Sequence, residues 1–146
     1  MKKMLMAAVA ALLFTGVSMA QEKKGGVTFV EGSFAEVQAA AKKADKPIFM
    51  DIYAVWCGPC KFLSNNIFPT QLVGDYMNAT FVSTKVDAEK GEGVELAKKY
   101  GVKAYPTMLI LDSEGNELGR LLGSSRTPEE FVQRVKDEMA KIAEKK

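Results

Sequence analysis

The stretch Ile48-Phe49-Met50-Asp51-Ile52-Tyr53-Ala54-Val55-Trp56-Cys57-Gly58-Pro59-Cys60-Lys61 decides the fold. Ile48 to Ala54 is a nearly continuous apolar run, the pattern of a strand buried on both faces. Asp51 is the one residue in it that does not belong. From Cys57 to about Phe68 the pattern turns helical, with Pro59 in the first turn, where a missing backbone N–H costs nothing. A buried strand therefore hands over to a helix at two cysteines three positions apart.

Upstream, Ser33 and Glu36 form a capping box that opens a helix running to about Ala44, and Lys46-Pro47 ends it. Val27 to Val30 reads as a short first strand. Downstream, Pro69-Thr70 interrupts the helix, a further helical piece runs to roughly Asn78, and Thr80 to Val86 is another apolar strand. Strand, helix and strand in that order make a parallel crossover. Gly93 to Tyr100 is predicted as a short helix stopped by Gly101. Thr107 to Leu111 and Glu117 to Leu122 read as strands joined by Asp112-Ser113-Glu114-Gly115-Asn116, a hairpin turn by composition. Thr127-Pro128-Glu129-Glu130 is a second capping box, and the last helix carries Phe131, Val135 and Met139 on one face and charge on the other. The predicted order is β-α-β-α-β-α-β-β-α, an α/β protein whose central mixed sheet, mostly parallel, is flanked by helices on both faces.

Residues 1–20 fall outside this scheme. Lys2 and Lys3 precede an apolar run from Met4 to Val17, and Ser18-Met19-Ala20 puts small residues before a cut after Ala20. That is the pattern of a secretory signal peptide, and a short bacterial-style leader points to the periplasm. An uncleaved membrane anchor is the alternative, but the run falls short of the roughly 18–20 apolar residues that a span needs. Residues 21–26 are polar and glycine-containing and read as a linker, which leaves 27–146 as one domain.

Without residues 1–20, which hold two lysines and no acid, 126 residues remain with 18 basic and 18 acidic side chains. That balance offers no nucleic-acid surface and no polybasic membrane patch. Histidine is absent, which excludes imidazole bases and most zinc and haem sites. Zinc takes four ligands, and two thiolates complete such a set only between molecules, so neither metal nor cofactor is expected. Cys57 and Cys60 are the only thiols. A structural staple across so short a loop removes little chain entropy, so the spacing calls for chemistry. A cysteine at a helix N-terminus meets unpaired N–H groups and the positive end of the dipole. Such placement lowers a thiol pKa into the range of roughly 3.5–7.5. Cys57 is thus the expected attacking thiolate. Cys60, nearly one turn deeper, is the expected shielded thiol that resolves the mixed disulfide. Asp51, stripped of water in its strand, should titrate closer to neutrality and is the natural proton acceptor for Cys60.

The hexapeptide Trp56-Cys57-Gly58-Pro59-Cys60-Lys61 resembles the active site of thioredoxins. The likeness covers essentially all of residues 27–146: Asp51 falls where that family keeps a buried acid, and Tyr105-Pro106-Thr107 where it has a cis-proline. The resemblance implies a thioredoxin-like fold and a redox-active Cys57–Cys60 disulfide. It places Pro106 against the two sulfurs and turns the backbone of Tyr105 outward, to pair with an extended substrate segment; the Tyr105 side chain is either a direct substrate contact or a partly buried packing residue. Trp56 would shield and pack, with an exposed edge for substrate, while Gly58 and Pro59 shape the turn and set the redox poise. Two departures stand out. The lysine that many thioredoxins carry on the third strand is matched by Ser83; Lys85, two residues on and on the same side by strand alternation, could substitute for it but is expected at a solvated strand end. The proline break comes late, at Phe68-Pro69-Thr70. This break and the stretch from Lys46 to Ala54 look more like a periplasmic branch that includes the C-terminal domain of the transmembrane thiol:disulfide interchange protein.

The resemblance implies reduction of protein disulfides, because Gly-Pro between the cysteines is similar to the reducing members of the family. The partners would be disulfide-bonded protein substrates and a membrane electron donor of the thiol:disulfide interchange type, with no nucleic acid, and the protein would act as a monomer. The competing class is a binding or chaperone module whose cysteines are incidental.

Overall fold

The computed structural model describes residues 25–146. The expected signal peptide, and the expected linker up to residue 24, lie outside the described residues. Ser33 caps helix α1 (Phe34–Ala44): its hydroxyl accepts the Glu36 N–H at 3.3 Å, and the Glu36 carboxylate accepts the Ser33 N–H at 2.6 Å. Such a cap contributes about 1 kcal/mol. Strand β1 (Ile48–Tyr53) follows, then α2 (Gly58–Phe62), which continues without a break into a π-helical turn (Leu63–Ile67). The remaining elements are α3 (Gln71–Thr80), β2 (Val82–Asp87), α4 (Glu92–Lys99), β3 (Thr107–Leu111), β4 (Glu117–Leu122) and α5 (Pro128–Glu144). The Thr127 hydroxyl opens α5 by accepting the Glu130 N–H at 3.1 Å.

The strands lie side by side in the order β2-β1-β3-β4. β1 is parallel to β2, with Asp51 opposite Lys85, and antiparallel to β3, which forms the expected hairpin with β4. Two expectations are corrected here. Val27 to Val30 does not form a strand; among the described residues it contributes a single parallel bridge from Phe29 to Ser83. Two of its donors are spent elsewhere: the Val27 N–H goes to the Phe68 carbonyl (2.8 Å) and the Thr28 N–H to the Asn78 side chain (2.9 Å). Only the Val30 N–H reaches β2, at the Ser83 carbonyl (2.8 Å), and one such bond makes a bridge, not a ladder. Nor is the sheet mostly parallel, because β3 runs against β1. β2 ends at Asp87 opposite Tyr53, and the eight residues of α4 rise only about 12 Å. Residues 100–106 then return the chain to the same end of the sheet, where Thr107 starts beside Ile52. A chain that leaves and re-enters at one end runs antiparallel.

Alternation along β1 divides the core in two. Ile48, Met50 and Ile52 pack with Leu109 and Leu111 against α1 and α4, through Phe34, Val37, Ala41, Leu96 and Ala97. Phe49 faces the other way with Met108 and Ile110, toward Leu63 and Ile67 of the π turn, Met77 of α3 and Phe131 of α5. Phe68, just past the π turn, meets the rings of Phe29, Phe131 and Phe49 edge-on, at centroid distances of 5.3, 5.5 and 6.4 Å. Helices therefore cover both faces, as expected. No helix among the described residues is long and apolar enough to cross a membrane.

Candidate active site

Cys57 sits immediately before α2 in an extended conformation (φ −77, ψ 112), and its Sγ accepts the Cys60 N–H at 3.2 Å. The sulfur occupies the place that a serine or aspartate oxygen takes at an ordinary helix start. The Cys57 N–H is held by the Ala54 carbonyl at 3.1 Å, where β1 has just ended. Pro59, in the first turn, has no N–H to satisfy. Gly58 and Pro59 are exposed at the tip of the site. A disulfide joins Cys57 to Cys60. Cys60 is expected to be the more shielded of the two, yet in the disulfide they are enclosed alike, 4% and 3% exposed. The bond draws both sulfurs into one small cluster with Ala54, against which Tyr53 and Tyr105 pack.

Asp51 is completely buried, and neither carboxylate oxygen has a hydrogen-bond partner. By alternation it shares the face of Phe49 and Tyr53, the side covered by the helical run that begins at the cysteines. Burial pushes its carboxyl up from 3.8 to about 7, against the opposing pull of the Lys85 ammonium. Burial, followed by the charges of Asp87 and Asp51, also raises the Tyr53 phenol.

The expectation of a solvated strand end for Lys85 is corrected. Lys85 is half-buried, donates to the Ser64 hydroxyl on the π turn, and places its ammonium 4.9 Å from the Tyr53 ring centroid and under 6 Å from those of Phe29 (5.8 Å) and Phe68 (5.9 Å). It sits mid-ladder opposite Asp51, and β-alternation aims it at the helix-covered side. Ser83, matched to the family lysine in sequence, lies instead opposite Phe49, buried and with its hydroxyl unpartnered. The cation that acts on Asp51 is therefore Lys85.

The Tyr105–Pro106 peptide is cis. Pro106 is buried, and Tyr105 packs on the cysteine cluster and meets the Trp56 ring edge-on at 5.8 Å. Trp56 is 65% exposed, and its indole N–H donates to the Glu89 carboxylate. The structure thus brings Cys57, Cys60, Trp56 and Tyr105 together, with Pro106 next in the chain and Asp51 on the sheet face beneath the helix. Sequence reading singled out neither Glu89 nor Ser64. Glu89 lies in the charged run Asp87-Ala88-Glu89-Lys90, where nothing distinguishes it from an ordinary solvated loop acid. Ser64 carries only a helical-spacing signal.

Residues 34–138 match a family model described as a thioredoxin-like domain. The chain is 34% identical over 95 residues to mitochondrial thioredoxin-3 of Saccharomyces cerevisiae, covering 65% of this chain and 68% of that protein. It superposes with a TM-score of 0.70 on the solution structure of a candidate disulphide-isomerase from Bacteroides thetaiotaomicron, at 48% identity, over 80% of this chain and 96% of that one. On the oxidised C-terminal domain of Neisseria meningitidis DsbD the TM-score is 0.58 at 27% identity, over 71% and 90% of the two chains. The chain spans 68% of the length of that mitochondrial thioredoxin, and 14% of the thiol:disulfide interchange protein DsbD of Yersinia pestis, to which it is 35% identical over 85 residues.

Proposed function

The chain belongs to the thioredoxin-like domain family and is a disulfide oxidoreductase with the pair Cys57–Cys60, and from that premise we propose that it is an exported reductant of protein disulfides. The observation that carries this reading is the Cys57 sulfur, seated as the cap of α2 on the Cys60 N–H, a position that favours a thiolate over a thiol. In the reduced protein the Cys57 thiolate attacks one sulfur of a substrate disulfide, forms a mixed disulfide and releases the other substrate sulfur as a thiolate. The Asp51 carboxylate takes the proton of the Cys60 thiol. The Cys60 thiolate then attacks the Cys57 sulfur, restores the intramolecular disulfide and frees the second substrate thiolate, so two electrons pass to the substrate. A carboxyl that titrates near 7 is suited to that proton transfer at neutral pH.

The exposed edge of Trp56 and the backbone at Tyr105 and Pro106 dock an extended substrate segment beside the disulfide. The disulfide present here is the spent state. A membrane dithiol donor of the thiol:disulfide interchange type recharges it, a role supported by the likeness to a DsbD domain. Gly58-Pro59 supports the reducing direction, and the leader pattern of residues 1–20 supports export to the periplasm.

Replacing the resolving cysteine tests the scheme. Cys60→Ser is expected to accumulate covalent mixed disulfides with protein substrates in cells, recovered under non-reducing conditions, and Cys57→Ser to lose all turnover. Full function in the Cys57→Ser strain would replace the reductase with the binding or chaperone module. A redox potential as high as that of strongly oxidising relatives would reverse the direction of electron flow.

A further inference from the structure

The loop that joins β4 to α5 is held from the helix side at two places: Glu130 accepts the Arg126 N–H near its end (3.0 Å), and Arg134 gathers its start. Arg134, half-buried on α5, directs Nη2 to the Leu122 carbonyl at 2.7 Å. Its Nη1 donates to the Ser125 hydroxyl (2.8 Å) and to the carbonyls of Ser124 (3.1 Å) and Gly123 (3.3 Å). Ser125 is itself buried. Gly123 has φ +75 and open space around its missing Cβ, and within the Gly-Ser-Ser stretch the one bond is from the Ser124 hydroxyl to the Ser125 carbonyl (3.2 Å), so the glycine itself does not select one conformation. The guanidinium supplies that selection. Its planar fork reaches several diverging acceptors at once, which a lysine ammonium does not match.

One peptide unit carries the effect onward. The carbonyl of Leu122 and the N–H of Gly123 belong to the same plane and point in opposite directions. The oxygen accepts from Arg134, and the N–H donates to the Pro106 carbonyl at 3.0 Å. A charge bonded to one side of a peptide strengthens the hydrogen bond made by the other. Pro106 in turn follows Tyr105, which packs on the disulfide. A continuous chain of bonds thus runs from α5 to the wall of the active site.

We propose that Arg134 is a positioning residue for the docking of polypeptide substrates: through the Leu122–Gly123 peptide it fixes the backbone at Pro106 and Tyr105 against which an extended segment lies. The proposal rests on the docking role given to that backbone above. It separates two classes of substrate, because a small disulfide reaches the sulfurs without using the strand-like edge and a protein disulfide does not.

The test compares the wild-type chain with Arg134→Lys and Arg134→Met, using insulin as the protein disulfide and dithiobis(nitrobenzoate) as the small one. With charge-assisted bonds lost, the insulin KM is expected to rise by about five- to thirtyfold in both variants with kcat nearly unchanged. Small-disulfide reduction and the rate of Cys57 alkylation should stay within about twofold. The Gly123 amide should exchange with solvent at least about tenfold faster, while amides of the β3–β4 ladder keep their protection. An unchanged insulin KM or unchanged Gly123 exchange overturns the proposal. So does a loss that extends equally to the small disulfide and the ladder amides, since Arg134 would then only hold the fold. A wild-type chain that fails to reduce insulin overturns the reductase function first, and this role with it.

Discussion

On the side of β1 that faces α1 and α4, the buried polar groups are all satisfied: the Thr84 hydroxyl donates to the Val30 carbonyl at 3.0 Å and the Thr107 hydroxyl to the Ala104 carbonyl at 2.8 Å. On the side covered by α2, the π turn and α5, the Asp51 carboxylate and the Ser83 hydroxyl have no partner, and a half-buried lysine stands beside the carboxylate. One sheet therefore has a face built for stability and a face that carries an electrostatic burden. Unpartnered buried groups are uncommon in native proteins, and here they gather on the side where the cysteines lie. What destabilises the second face is also what readies a carboxyl to accept a proton near neutral pH.

Asp51→Asn probes that contrast with the largest effect. The folded chain keeps the Asp51 proton up to about pH 7, whereas an unfolded chain releases it near 3.8. Between those values Asp51 holds more proton in the native state than in the unfolded state, so its contribution to stability is greatest below pH 4 and declines as pH rises to 7. The decline is on the order of 4 kcal/mol, at 1.36 kcal/mol per unit. Denaturant unfolding should find Asp51→Asn more stable than wild type at pH 8 by up to that amount and nearly equal at pH 4, with turnover at pH 7 down about a hundredfold. Equal stabilities at both pH values would erase the difference between the faces.

Met50→Ala addresses the other face. Met50 is fully buried between α1, α4 and the sheet, and the truncation should cost about 2–5 kcal/mol in the same unfolding assay. Activity per folded molecule should stay within about twofold. A rise in insulin KM would show that the faces are not separable. The smallest effect belongs to Lys85→Met. Removing the ammonium removes the pull that holds Asp51 down, so the midpoint of the pH–activity profile should move to higher pH, with a modest loss at pH 7. A midpoint displaced to lower pH would mean that Lys85 does not act on Asp51 as a cation.

Much of this was legible in the residues because it depends on local chemistry. Ser33 with Glu36 and Thr127 with Glu130 marked two helix starts, and an aspartate in an apolar strand marked the buried acid. What escaped depends on partners remote in sequence. Val27 to Val30 has strand composition, but Phe68 and Asn78 claim the donors of Val27 and Thr28 and leave only Val30 to reach β2. Alternation already put Lys85 on the side of the family lysine, but only the ladder, which sets it opposite Asp51, decides between that role and a solvated strand end. The direction of β3 follows from where residues 100–106 deliver the chain, which no periodicity within β3 encodes. Arg134 looks like any charge on the outer side of an amphipathic helix, because its acceptors lie in another segment. The π turn keeps the apolar spacing of a helix and so leaves no separate trace.

That turn sets an angle. The Phe68 N–H reaches back to the Leu63 carbonyl at 2.9 Å, five residues away, so the turn holds one residue more than an α-helical one. Each residue of an α-helix advances the chain by about 100°. The surplus residue is thus a rotational offset between the sulfur-bearing start of the helix and its far end, where Phe68 is seated among three rings. Shortening the turn by one position would swing the start against that fixed end by roughly the same angle. The aim of the disulfide is in this sense a matter of gearing, geared from an aromatic seat eleven residues downstream of its attacking sulfur.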